Sequence, residues 1–297
     1  MKSLVNDKMK LLISEHGAEL TSIRAKGNEY LWQADPKFWN RHSPVLFPFV
    51  GRVWNNEYRL NGQVYPMGQH GFARDMEFEQ TGKSADSIKF TLVSNEATLA
   101  KYPFPFVLEI GYKLIENSIE VSWTVKNTGD SEMHFQIGAH PAFYYRDLDT
   151  SSDKRGYLLF GKGVTELDYI FPVEKGCTSL ERRTLKLDDG KMEVTTSSFD
   201  CDTYIFDNKQ LSKITLADKE GNPYLSMSFD TPLVAVWSPA ATRPDVPFIC
   251  LEPWFGRCDR MNYTGELKDR DCIEHLAAGA TFSTRYLITL EDVLSEE

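Results

Sequence analysis

Three stretches of the chain combine residue types that do chemistry. His140 lies in QIGAHPAFYY (136–145), beside a proline and between small residues and three aromatics. Small residues leave room and proline stiffens the backbone, so this imidazole is a candidate proton donor at a cavity floor. Glu252 lies in VPFICLEPWFGRCDR (246–260), after the apolar run Phe248–Leu251 and before Pro253 and Trp254. A carboxylate at the end of a buried strand is costly unless it is hydrogen-bonded or used. Desolvation raises its pKa, which suits a general base working near neutral pH; the alternative is an ion pair with Arg257 or Arg260. In LFPFVGRVWNNEYRLNGQVYPMGQHGFARD (46–75), Arg52 follows a glycine, and His70 and Arg74 flank Gly71-Phe72. Glycine lets a ligand approach the backbone closely, although a histidine beside one is more often structural.

Together these residues suit a sugar. Trp254, Phe143 and Trp39 offer apolar faces for a C–H face of a pyranose, while Arg, His and Asp side chains bond hydroxyls. One imidazole and one carboxylate, facing each other across the ring, form an acid–base pair. His140 then needs a modest upward shift of its pKa from nearby carboxylates. A metal shared by His134 and His140 is not expected. Six residues of regular strand separate their Cα atoms by roughly 20 Å, and His134 reads as structural.

The elements that must position these groups are strands. Ile119, Val121, Trp123 and Val125 alternate with Glu120, Ser122, Thr124 and Lys126, as on a half-buried strand. Phe106, Leu108, Ile110, Tyr112 and Leu114 alternate before them, with a turn expected at 116–117. Asn61-Gly62 between apolar runs predicts a hairpin. ITLADKEGNPYLSMSF predicts another, and ATFSTRYLITL a late strand. Helical patterns are confined to 35–39 and 95–102, each of about two turns after a capping residue. Many short antiparallel strands predict one all-β sandwich domain over 1–297.

Composition narrows the partners. The 297 residues are 41% hydrophobic and 26% charged, as in ordinary globular proteins, and the net charge is −10. That sign argues against nucleic acid or an anionic membrane. No apolar run of membrane-spanning length occurs, and the N-terminus does not read as a signal peptide. Cys177, Cys201, Cys250, Cys258 and Cys272 are an odd set without metal-like pairing, read as reduced thiols of a cytoplasmic protein.

VGRVWNN (50–56), QHGFARD (69–75), GAHPAF (138–143) and FICLEPWFG (248–256) resemble the successive signatures of the aldose 1-epimerases, or mutarotases. The match is to a bacterial aldose 1-epimerase-like branch and runs from LLISEHGAELTSI (11–23) to the final strand. The resemblance implies a β-supersandwich of galactose mutarotase type with a few short helices, no cofactor, no metal and a small sugar substrate. It implies a monomer or weak homodimer. It assigns Glu252 to take the proton of the anomeric hydroxyl and His140 to protonate the ring oxygen. It assigns sugar contacts to His70 and to Asp202, with Asp200 as rival. Arg52, Arg74 and Trp254 complete the substrate-binding set. Galactose mutarotases carry Asn-Arg where this chain has Asn55-Asn56, so Arg52 or Arg74 must replace that arginine. Arg74 also suits a hexose 6-phosphate. A non-catalytic sugar binder on the same fold, and a glycoside hydrolase or lyase, are the other readings; the second lacks a matching second carboxylate.

Overall fold

Period-two alternation builds the largest sheet. Ile119, Val121, Trp123 and Val125 are buried, their alternates face outward, and the strand is Ser118–Asn127. Each such aliphatic side chain removed from water stabilises the fold by roughly 1.5–3 kcal/mol. This strand pairs with Phe106–Ile115 across the expected turn, where Glu116 takes a φ of 52°. Nine antiparallel strands follow one another in the order Lys191–Thr195, Lys154–Leu159, Lys213–Ala217, Pro223–Phe229, Thr281–Leu290, Ser118–Asn127, Phe106–Ile115, Ser87–Val93 and Glu79–Lys83. The computed structural model describes residues 1–239, 243 and 245–293.

The second sheet carries the site. Its order is Thr203–Phe206, Leu233–Trp237, Phe248–Phe255, Ile137–Ala139 and Val45–Leu46, with Ala142–Tyr144 also paired to Phe248–Phe255. A common apolar core joins the two sheets: Phe47 meets Phe106 edge-on at 5.0 Å, and Phe160 meets Phe206 at 5.6 Å. Alternation then decides which residues face away from that core. Ile249 and Leu251 enter it, as do Val234, Val236, Tyr204 and Phe206. The residues of opposite phase, among them Thr203, Ile205, Trp237, Glu252 and Trp254, line a cavity on the other face. The expected all-β architecture is the one observed.

The hairpin at Asn61-Gly62 forms between Glu57–Leu60 and Gln63–Pro66, with both turn residues at positive φ. That of ITLADKEGNPYLSMSF forms between Lys213–Ala217 and Pro223–Phe229. The two helical expectations were too long. Residues 95–102 hold one α-turn, Glu96–Leu99, closed by an Asn95/Thr98 capping box. Pro103, which disfavours helical conformation in the residue before it, stops the helix from continuing. Residues 35–39 make a single turn in which Phe38 and Trp39 donate to the Asp35 carbonyl; so short a segment does not propagate as helix.

Candidate active site

The chain around His140 is a strand with a gap. On one side of the gap Ile137 pairs with Phe255 and Gly138 with Trp254. On the other, Ala142 pairs with Cys250 and Phe143 with Ile249. The register is the same on both sides, so counting inward leaves His140 opposite Glu252, with both on the cavity face. Their side chains touch, Nε2 of His140 lying 3.3 Å from Oε2 of Glu252. In the gap, His140 N–H donates to the Pro44 carbonyl, continuing the register in which Gly138 pairs with Leu46 and Ala139 with Val45. Pro44 is held in turn by Glu19, whose Oε1 accepts from the His42 and Ser43 N–H groups at 2.9 Å each.

The contact corrects one expectation. A pyranose does not fit between two groups 3.3 Å apart, so the pair is side by side and not across a ring. The alternative partners of Glu252 are also taken: Arg257 and Arg260 both bond Asp271, at 2.5 and 2.9 Å.

Burial governs the charges here. Glu252 is fully buried, and desolvation, followed by the negative charge of Asp202, raises its pKa well above the usual carboxylate range. The nearby Trp254 acts in the opposite direction. The expected upward shift of His140 does not occur. Desolvation, and then the positive charge of Arg74, push it down to about 3. Trp39 stacks on its ring at 4.8 Å, while Trp237 and His70 meet it edge-on at 5.6 and 5.4 Å. The dry aromatic surroundings outweigh the one carboxylate. Burial thus disfavours the charged form of both members.

His70 and Gly71 both adopt positive φ, and a Cβ on Gly71 would lie 2.2 Å from the Phe47 carbonyl oxygen. Only glycine permits this close turn. It directs His70 back at Gly51: His70 N–H donates to the Gly51 carbonyl, and the Gly51 N–H donates to His70 Nδ1 at 3.0 Å. An accepting Nδ1 leaves the proton on Nε2, and burial keeps the ring neutral, with its pKa well below normal. His70 is thus a neutral N–H donor at the cavity wall. Arg74 donates to the Gln69 carbonyl at 2.7 Å, and its buried Nε has no hydrogen-bond partner. Arg52 packs over Gly176, where any Cβ would meet its Cδ at 2.7 Å.

Gly138 serves Trp254 in the same way, since a Cβ there would stand 2.6 Å from the indole Cδ1. Asp202, at a φ of 72°, reaches the cavity from the end of Thr203–Phe206. Asp200 is exposed and does not line it, so the aspartate at the cavity is Asp202. The space enclosed is about 690 Å³, in the range of small-molecule sites.

A family model described as aldose 1-epimerase matches residues 2–266. The chain belongs to the aldose 1-epimerase family. It is 31% identical to the LacX protein of Lactococcus lactis subsp. lactis, covering 97% of this chain and 98% of that one. Among solved structures, a galactose mutarotase-related enzyme from Lactobacillus acidophilus superposes with a TM-score of 0.89 at 32% identity, covering 98% and 97% of the two chains. A galactose mutarotase-like protein from Lactobacillus casei superposes with a TM-score of 0.91 at 31% identity, covering 98% and 100%. The fold is of galactose mutarotase type.

In this aldose 1-epimerase relative all seven expected site residues, His140, Glu252, Arg52, His70, Arg74, Asp202 and Trp254, line one cavity. Trp39 lines it too; Phe143 does not. Phe143 is fully buried and packs in the main core, because it lies in phase with Ile137 and Ala139, not with His140. Among the lining residues that the sequence reading missed are Trp237 and Lys175. Trp237 ends a strand with no motif, though its alternation with the core residues Val234 and Val236 was a usable signal. Lys175 arrives from a loop, bonded to Asn55 Oδ1 at 2.9 Å and lying over the Trp54 ring; nothing local marks it. Cys250 brings a thiol within 4.8 Å of the His140 and Glu252 donor atoms. Burial raises its pKa well above normal, and burial of Glu252 likewise disfavours the deprotonated forms that metal ligation requires.

Proposed function

We propose that the protein is a mutarotase interconverting the α and β anomers of an aldohexose or a close derivative, with His140 and Glu252 as the catalytic pair. One observation carries this reading: a buried imidazole and carboxyl in contact at 3.3 Å, open to a sugar-sized cavity and without arginine partners. Ring opening needs one proton removed from the anomeric hydroxyl and one delivered to the ring oxygen. Both oxygens are bonded to C1, so the two groups must be neighbours, as they are. The C1–ring-oxygen bond breaks as that oxygen gains its proton, and the anomeric oxygen becomes the aldehyde carbonyl. Rotation about C1–C2 presents the other carbonyl face, and reclosure returns both protons.

The pair holds one proton in either form, imidazole with carboxylic acid or imidazolium with carboxylate. Each form offers one donor and one acceptor. Family likeness assigns Glu252 to the anomeric hydroxyl and His140 to the ring oxygen. His70, Arg52, Arg74 and Asp202 bind hydroxyls, and Trp39, Trp237 and Trp254 supply apolar faces. The five free thiols support a reducing compartment such as the cytoplasm. No helix among the described residues is long and apolar enough to cross a membrane.

The test is anomer exchange of freshly dissolved α-glucose and α-galactose, followed by polarimetry or NMR, with wild type, Glu252→Gln and His140→Asn. Wild type accelerates the exchange and both variants lose it; equal rates for all three reject the reading. A phosphorylated hexose is the second reading, favoured by Arg52, Arg74 and Lys175 on one cavity. It requires inhibition by inorganic phosphate, relieved by hexose 6-phosphate.

A further inference from the structure

Away from the cavity, three potential ligands converge where no sugar contact is assigned. Strands Met133–Phe135 and Glu274–Leu276 pair so that His134 stands directly opposite His275. The two rings lie 4.9 Å apart, nearly perpendicular. Each turns its Nδ1 toward the same oxygen: Glu132 Oε1 is 3.1 Å from His275 Nδ1 and 3.7 Å from His134 Nδ1. His275 and Glu132 are half-exposed, and their contact alone would be an ordinary surface pair. His134 is not explained that way. Its side chain is only 9% exposed, and its Nδ1 is buried without a hydrogen-bond partner, an arrangement that costs stability if nothing fills it.

We propose that Glu132, His134 and His275 form a binding site for one divalent transition-metal ion, Zn²⁺ by ligand type. Two imidazoles and one carboxylate are a borderline donor set that suits zinc. Tetrahedral coordination at ~2.0–2.1 Å sets ligand atoms about 3.3 Å apart, between the two distances seen here. Small rotations of the exposed Glu132 and His275 close the set around an ion, and their open side leaves the fourth position to water. The ion clamps Glu274–Leu276 onto Met133–Phe135. The residues just before that strand, Arg270 and Asp271, bond Gln136, so the clamp steadies the layer behind the cavity. His134 and His140 belong to separate stretches, Met133–Phe135 pairing with Glu274–Leu276 and Ile137–Ala139 with Phe248–Phe255; the cross-strand partner is what local spacing cannot reveal.

The test uses the full chain, dialysed against chelator and then titrated with ZnCl₂ by calorimetry and with CoCl₂ by visible absorption. One Zn²⁺ binds per chain, Co²⁺ gives the intense d–d bands of a tetrahedral site, and Zn²⁺ raises Tm. Glu132→Gln and His275→Asn, both at exposed positions, weaken Zn²⁺ binding by about tenfold or more and remove the rise in Tm. Their metal-free Tm stays near that of the wild type, which separates lost ligation from misfolding. Three results would overturn the assignment. They are no Zn²⁺ uptake by the dialysed protein, unchanged uptake by both variants, or a thiolate–cobalt charge-transfer band that vanishes in Cys250→Ser.

Discussion

Two buried polar clusters lie on neighbouring parts of this molecule and are built by opposite rules. Behind the cavity, Arg270 donates to Asp259 at 2.7 Å and to Gln136 at 3.3 Å, while its guanidinium covers the Phe49 ring. Asp259 also accepts from the Trp54 N–H, Gln136 accepts from the Val50 N–H, and Arg257 bonds Asp271. Each of these side chains is bonded, and of Arg270 only Nη2 is left without a partner. In the cavity, Glu252 Oε2, His140 Nδ1, Trp254 Nε1 and Arg74 Nε are all buried without hydrogen-bond partners. The same cost of burial is answered with bonds in one cluster and left open in the other. A satisfied network holds shape; an unsatisfied one is ready for a ligand.

The largest test of this contrast is at Glu252. Glu252→Gln keeps the shape and removes the proton exchange, so anomer exchange falls by roughly 10³-fold, about 4 kcal/mol of barrier. Stability moves the other way. The folded-state pKa of Glu252 is raised, so its contribution is fully present below the unfolded pKa and is lost as pH rises through the folded one. Glutamine does not ionise. The variant therefore gains Tm relative to wild type at alkaline pH and gains less near pH 5, read by thermal denaturation across pH. A variant that loses Tm at alkaline pH would show that Glu252 supports the fold.

Asp259→Ala sharpens the other half. It strands Arg270 in the interior and frees the Trp54 N–H. Breaking a buried pair on one side costs ~3–5 kcal/mol, and Tm falls by roughly 10 °C. Exchange activity per folded molecule changes by less than about tenfold, since Asp259 does not touch the proton pair.

Trp39→Ala acts through one ring. Trp39 stacks on His140 and shields it from water. Without the indole, water reaches the imidazole and its pKa climbs from about 3 toward the ordinary value. A depressed histidine loses its contribution as pH falls through the folded pKa, so the acid limb of kcat/KM moves upward by about one unit or more. An unmoved acid limb would mean that Trp39 contributes packing alone.

Much of this arrangement was legible in the residues, and the part that was not has a physical reason. The buried run before Glu252 announced both the desolvated carboxyl and the cavity-facing Trp254, because period-two alternation is a local property. His140 was found by its neighbours, yet its charge state was misjudged. The groups that set it, Trp39, Trp237 and Arg74, come from three other segments, and their approach depends on strand order. For the same reason the contact of His140 with Glu252 follows only from the register of two strands over a hundred residues apart. Phe143 was assigned to the cavity because aromatic character is visible in a sequence, whereas the phase of an interrupted strand is not.

The smallest effect is expected at Asn56, the position to which the family resemblance would give an arginine. Asn55 and Asn56 hold φ values of 57° and 58°, a left-handed conformation that asparagine tolerates better than most residues. Asn56 N–H donates to the Val53 carbonyl, and the Asn56 carbonyl accepts from Met67, so the backbone is fixed in that shape. Asn56→Arg therefore costs roughly 1 kcal/mol of strain and lowers Tm by a few degrees. Arg52, Arg74 and Lys175 already stand at the cavity, so a fourth cation adds little. KM for glucose and galactose shifts less than about tenfold, with kcat nearly unchanged. A fall in KM for galactose alone, well beyond that range, would mean the cavity lacks the contact that the missing arginine supplies, and that the three resident cations answer to a different substituent.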